Sequence, residues 1–162
     1  MTGRQAPPAE TARAALLRAA LRRLARREHS RRELGRRLAR EGDERAPVDA
    51  VLDELAQRGL QSDARFAEAV VASRVRRGQG ELRIRHELAE AGVAAEVIDA
   101  ALERAAVDWV ALAAAVCRRK FGYGRASAWA EQARRARFLG QRGFDGAVIR
   151  AALAAVERGE AG

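Results

Sequence analysis

Asparagine is missing from this 162-residue chain altogether, cysteine occurs once and proline three times, and only one of its 31 basic residues is a lysine. Each scarcity excludes something. A lone Cys117 cannot close an intramolecular disulfide, which fits a reducing compartment. Its neighbours Ala113, Ala114, Ala115 and Val116 mark it as a small buried residue, not a reactive thiol. Aromatic residues make up only 4% of the chain, so a core must rest on Leu, Val and Ile brought close through Ala. That is the composition of packed helices, not of a sandwich or a barrel. No segment approaches the ~18 uninterrupted apolar residues that a membrane span needs. Met1–Glu10 also lacks the apolar run of a signal peptide, so a cytoplasmic protein with no membrane partner is expected.

Chemistry is scarce as well. His29 and His86 lie far apart, and neither has a metal-ligand spacing. His29, just before a helix start, is expected to face solvent or to brace that start, and His86 beside Glu87 to be exposed. Phe121-Gly122-Tyr123-Gly124 has the glycines of a phosphate loop, but no Gly-Lys-Ser/Thr follows and no strand precedes. These glycines read as the end of a helix. With no catalytic constellation in view, the expectation is a binding protein, not an enzyme, with no cofactor and no metal.

What the chain does have is apolar bulk, positive charge and period. Apolar residues are 48% of it, and the net charge is +9. After a lead-in at residues 1–10, with Pro7 and Pro8, the helical period hardly breaks. Leu16, Leu17, Leu21 and Leu24 form the stripe of a first helix over about 11–27. Ser30-Arg31-Arg32-Glu33 is a capping box opening a second, in which Ser and Glu satisfy each other's free backbone N–H groups. Leu34 and Leu38 carry its stripe and Gly42 ends it. Pro47 opens a third helix, where proline is tolerated, and that helix carries Val51, Leu52 and Leu55 up to Gly59.

This trio recurs. Glu33-Leu34, Leu38 and Gly42, then Val51 and Leu55, are matched by Arg83-Ile84, Leu88 and Gly92, then Ile98 and Leu102. Arg134-Arg135, Leu139 and Gly143, then Ile149 and Leu153, make the third copy. The first copy needs a short insertion, which Asp43–Ala46 supplies. Leading helices fall at about 63–77, begun by Ser62-Asp63, and at about 108–121. The chain is therefore expected to be all-α, with nine helices in three tandem helix-turn-helix-like repeats at 11–60, 61–106 and 107–162. Because each small trio buries only part of its apolar surface alone, the trios are expected to stack into an elongated, curved body.

Charge is unevenly spread over this plan. Residues 1–45 carry +7 and 107–143 carry +6, whereas 46–60 and 93–106 are each −2 and 144–162 is −1. Genomic base composition would account for Arg over Lys, but not for a net charge confined to first and second helices. A solvated face usually mixes signs at i,i+4 spacing, yet 118–125 and 134–142 hold no acid. Arginines cluster at 22–23 and 26–27 too. The pattern points to a polyanionic partner. The residues expected to meet it are Arg31, Arg32, Arg36, Arg37, Arg83, Arg85, Arg134 and Arg135 on second helices, then Arg76, Arg77, Arg118, Arg119 and Lys120. Base stacking is not expected as the main mode. Phe66, Trp109, Phe138 and Phe144 lie on apolar stripes, which leaves only Tyr123 and Trp129 to face a ligand, where a single-strand binder offers a row of rings.

Four stretches carry a resemblance. They are Arg27-Glu28-His29-Ser30-Arg31-Arg32-Glu33-Leu34, Gly59-Leu60-Gln61-Ser62-Asp63-Ala64-Arg65-Phe66-Ala67, Arg77-Gly78-Gln79-Gly80, and Arg137-Phe138-Leu139-Gly140-Gln141-Arg142-Gly143-Phe144. In this order and spacing the chain resembles the RecX family of regulators of the RecA recombinase, from about Leu21 to its C-terminus. The resemblance implies three tandem three-helix repeats and binding in the helical groove of the RecA–single-stranded-DNA filament. There such a protein bridges protomers, blocks strand exchange and ATP hydrolysis, and limits filament growth. It implies RecA and single-stranded, or also double-stranded, DNA as partners of a monomer. The competing expectation is a general DNA-binding protein that holds the phosphate backbone, since a three-helix trio also resembles a helix-turn-helix module. A third is a repeat scaffold for another acidic protein.

Overall fold

The computed structural model describes residues 9–41, 47–124, 126 and 128–159. Within them lie α1 (Ala9–Leu24), α2 (Arg31–Glu41), α3 (Val48–Gln57), α4 (Asp63–Arg76), α5 (Glu81–Glu90), α6 (Ala95–Ala105), α7 (Trp109–Phe121), α8 (Trp129–Gln141) and α9 (Gly146–Arg158). No strand occurs among the described residues. Helix α1 starts inside the expected lead-in, directly after Pro8 in the chain, with Glu10 favourably placed in its positive first turn. It also ends earlier than expected, at Leu24. Pro47 sits one place before the first helical residue, at the cap. The expected lead-in up to Pro8, the stop at Gly42 and the insertion at Asp43–Ala46 lie outside the described residues.

Each trio closes on its own apolar cluster. In the first, Leu16 and Ala20 of α1 meet Leu34 and Leu38 of α2 and Val51 and Leu55 of α3. In the second, Phe66 and Val71 meet Ile84, Leu88, Ile98 and Leu102. In the third, Ala113 and Cys117 meet Leu139, Leu153 and Val156. Fully burying each such Leu, Ile or Val is worth roughly 1.5–3 kcal/mol. Trp109 packs against both the second and the third clusters and is the apolar link between them.

The repeats join by one rule used twice. At the first junction, Ser30, at the start of α2, donates its hydroxyl to the Ala91 carbonyl at the end of α5 (2.7 Å). At the second, the Gly80 N–H, at the start of α5, donates to the Arg142 carbonyl at the end of α8 (2.8 Å). The glycine that follows each acceptor is left-handed, Gly92 at φ +79° and Gly143 at φ +88°. In both, the two bonds of a Schellman motif close the helix, as in Val93 N–H to Leu88 (3.1 Å) and Phe144 N–H to Leu139 (3.3 Å). The missing side chains admit the neighbouring repeat: a Cβ on Gly92 would lie 2.4 Å from Arg32, and one on Gly143 2.4 Å from Arg83. The start of one repeat's second helix thus docks on the end of the next repeat's second helix, which makes an open array.

Candidate nucleic-acid interface

The start of α2 shows how the array is wired. Ser30 Oγ accepts from Glu33 N–H (3.0 Å), the first half of the expected capping box. The second half is not made. Glu33 turns instead to Arg27 (2.6 and 3.2 Å) and Arg37 (3.2 Å). The free N–H of Arg31 is taken by Asp63 of the next repeat (2.7 Å), and Gln61 donates to the His29 carbonyl (3.3 Å). Burial pushes the Glu33 carboxyl up, but the bond and charge of Arg27 outweigh it and hold the group below its usual range. His29 is buried, not solvent-facing, with Nδ1 3.2 Å from Glu33. Burial, then the Arg27 charge, lowers its pKa. His86 is exposed, 3.4 Å from Glu90. Burial raises the pKa of the Cys117 thiol, in keeping with an inert core residue.

Of the expected site residues, several are spoken for by carboxylates. Arg31 pairs with Asp53 (2.7 Å), Arg37 with Glu33 (3.2 Å), and Arg85 with both Glu81 (2.7 Å) and Asp99 (2.5 Å). Arg83 reaches the Gln141 carbonyl across the second junction (3.4 Å). Arg134 is exposed, its guanidinium 5.8 Å from the centre of the Phe121 ring. Arg118 lies at the same distance from the Tyr123 ring.

Arg135 requires a correction. It is 4% exposed and is no surface contact. Its guanidinium binds Glu131 (2.6 Å) and the Gly124 carbonyl (2.9 Å) and lies over Phe121, while Nε has no partner. In the repeat alignment Arg135 stands where Leu34 and Ile84 stand, and both of those are fully buried. Repeat position, not charge, decides where it points.

Two groups of cations remain available. On the first repeat, Arg22 of α1, Arg26 in the turn after it, and Arg32, Arg36 and Arg40 of α2 are exposed and form no ion pair with any described residue. Arg22 and Arg26 line one cleft and Arg32, Arg36 and Arg40 another, and Arg37 belongs to both. At the second junction, a cleft of about 200 Å³ is lined by Arg77, Arg119, Lys120 and Arg142 over Val116 and Phe138, with no carboxylate. The charge pattern had not singled out Arg142. It donates to the carbonyls of Arg77 (2.8 Å) and Gly78 (3.2 Å) and lies over Phe138, 5.2 Å from the ring centre. Its place beside the junction glycine was the available signal. Arg76 is exposed at the end of α4. No group of three or more His, Cys, Asp or Glu residues is arranged to hold a metal among the described residues, and no described helix is long and apolar enough to cross a membrane.

Fold and surface define an all-helical repeat protein that offers arginine-lined clefts. Residues 62–102 match the second three-helix domain of RecX and residues 107–153 the third. The chain is 51% identical over 122 residues to the regulatory protein RecX of Halorhodospira halophila, covering 75% of this chain and 76% of that one. It is 49% identical over 119 residues to the regulatory protein RecX of Chromohalobacter salexigens, covering 73% and 77%. The chain belongs to the RecX family, a family of regulatory proteins. The crystal structure of RecX from Lactobacillus salivarius shares the fold, with a TM-score of 0.77 at 18% identity over 91% of this chain and 97% of that one. A second crystal structure of a regulatory protein RecX matches at TM-score 0.69 and 19% identity, over 86% and 70%.

Proposed function

We propose that this protein is a mainly negative regulator of the RecA recombinase. It binds in the groove of the RecA–single-stranded-DNA filament and limits its ATP hydrolysis, strand exchange and growth. It acts in the cytoplasm as a monomer and without catalysis of its own. Family membership supports the regulatory role. The observation that carries the mode of action is the unpaired arginine surface of the first repeat. Like charges at i,i+4 on α2, as in Arg32/Arg36 and Arg36/Arg40, each cost an isolated helix about 0.2–0.5 kcal/mol. A fold keeps such a surface where a polyanion relieves it, and a filament groove offers both acidic protein and enclosed phosphates. An open array of small repeats suits a long groove.

The test is the single-stranded-DNA-dependent ATPase of the cognate RecA filament, titrated with this protein below saturation. Inhibition is expected at those low ratios. It should be lost in Arg26→Glu/Arg36→Glu, a pair that is exposed and holds no junction together. An unchanged ATPase, with binding to bare duplex that falls with log salt at about −0.9 per phosphate contacted, would instead identify a general DNA-binding protein.

A further inference from the structure

Among the described residues only three large apolar side chains are exposed, and two of them bracket one short connection: Tyr123 (75%) and Trp129 (86%), between α7 and α8. Leaving two such rings in water is unfavourable, since their apolar area is worth about 25 cal/mol per Å² once covered. Neither ring contributes to the third repeat's core, which is built from other residues.

The surroundings narrow what covers them. The last turn of α7 is Arg118, Arg119 and Lys120. Arg118 lies 5.8 Å from the centre of the Tyr123 ring. Arg119 and Lys120 line the acid-free junction cleft together with Arg77 and Arg142. From Arg118 to Ala130 the chain has no acidic residue. A docking site for an apolar protein surface has no need of the four cations Arg77, Arg119, Lys120 and Arg142, whose cleft holds no carboxylate, and one for a basic peptide would be repelled by them. Exposed rings beside a cationic track are what unpaired nucleic-acid strands require, because bases stack on the rings while phosphates follow the charge. In a duplex the bases are already stacked on each other, so the rings add nothing there.

Gly124, next to Tyr123, is tied to the third repeat. Arg135, buried in the third repeat and paired with Glu131 (2.6 Å), donates to the Gly124 carbonyl (2.9 Å), one residue beyond Tyr123. Trp129 opens α8, so its backbone is helical. The rings are therefore presented from anchored positions at either end of the connection, which lowers the ordering cost of stacking on them.

We propose that Tyr123, after α7, and Trp129, opening α8, are stacking platforms for bases of single-stranded DNA, with the Arg77/Arg119/Lys120/Arg142 cleft seating a neighbouring phosphate. Two rings make a site of about two bases, not a continuous track. The site deepens the reading of this protein as a filament regulator, and rests on it for the source of the strand, which the filament encloses.

The experiment uses the full chain without recombinase, an oligothymidine, and an oligomer of the same length made of abasic deoxyribose phosphates. Trp129 emission should be quenched by oligothymidine and not by the abasic strand, while the half-buried Trp109 supplies the constant background seen in Trp129→Phe. Trp129→Ala should weaken oligothymidine binding about tenfold and leave abasic binding unchanged. Tyr123→Ala should weaken it several-fold, and Trp129→Phe should keep most of the affinity. Both residues are exposed, so the variants should fold, which circular dichroism checks. Equal losses on both strands, or no loss on either, would overturn the site. So would a Trp129→Ala variant that binds free oligothymidine normally but no longer inhibits the filament ATPase, since the patch would then dock on protein. If instead stacking is found and the wild type leaves the ATPase untouched, the site stands and the regulator reading falls.

Discussion

Ser30 and Ala91, 61 positions apart in sequence, share a 2.7 Å hydrogen bond that ties the start of α2 to the end of α5, while the same hydroxyl oxygen caps α2 through Glu33. One side chain therefore serves a helix and a junction at once. Ser30→Ala should cost about 1–2 kcal/mol for the cap, and somewhat more because the half-buried Ala91 carbonyl loses a partner. Urea unfolding measures the total. Amide exchange should show faster opening at both the start of α2 and the end of α5.

Gly80 makes the equivalent contact at the second junction, but with backbone. A Cβ there would sit 2.4 Å from the Gly143 carbonyl carbon and oxygen and from Phe144 N, with no flexible side chain to yield. Gly80→Ala should part the second and third repeats while each keeps its own core, and small-angle scattering should record a larger radius of gyration. Gly59→Ala is the control. It has φ +65° but nothing within 4 Å, so it should cost only about 1–2 kcal/mol of backbone strain with no change of shape.

Neighbouring arginines should behave as opposites. Arg134→Ala, at an exposed position, should change stability by no more than about 0.5 kcal/mol. Arg135→Ala should cost roughly 2–5 kcal/mol, because it empties a buried site and removes the contacts with Glu131, the Gly124 carbonyl and Phe121. Arg135→Leu restores the residue type the first repeat has at this position, and should be far milder than the alanine. Thermal denaturation of the three variants separates these outcomes.

Acid should loosen the first junction. The folded-state pKa of His29 lies below its ordinary 6.5, so the unfolded chain takes up the proton first as pH falls, and stability is lost from about pH 6.5 downward. The groups facing it are Arg27, Arg37 and Glu33. Glu33, held below its ordinary 4.5, adds a second loss in the same direction, but only as pH falls below that value. Stability measured across pH 7 to 5 should show the histidine step, and His29→Gln should flatten it.

Much of this was legible along the chain, for local reasons. The recurrence of Leu34/Leu38, Ile84/Leu88 and Leu139 ahead of spaced glycines follows from helical period, and the left-handed turns at Gly92 and Gly143 end the second helices of the second and third repeats. Ser62 and Asp108 cap α4 and α7 as residues of their type do, at 3.3 and 2.9 Å. Not every stop could be read this way: α6 ends on Ala106 at φ +46°, where no glycine signals it.

The candidate site was less legible, because charge says that a residue wants water or a partner and not which one it finds. The sequence by itself determined the helices, the three-fold repetition, the family and the two basic ends, since all of these arise from patterns within a few turns of chain. Tertiary structure alone decided that Arg85 is neutralised by Glu81 and Asp99, that Arg135 points inward, and that Arg142 closes a cleft with Arg77. The exposure of Tyr123 and Trp129, by contrast, was legible from their place off the apolar stripes. The arginine outcomes depend on which helix ends meet at a junction, and the long-range backbone contacts made through Ala91, Arg142 and the glycines beside them set that.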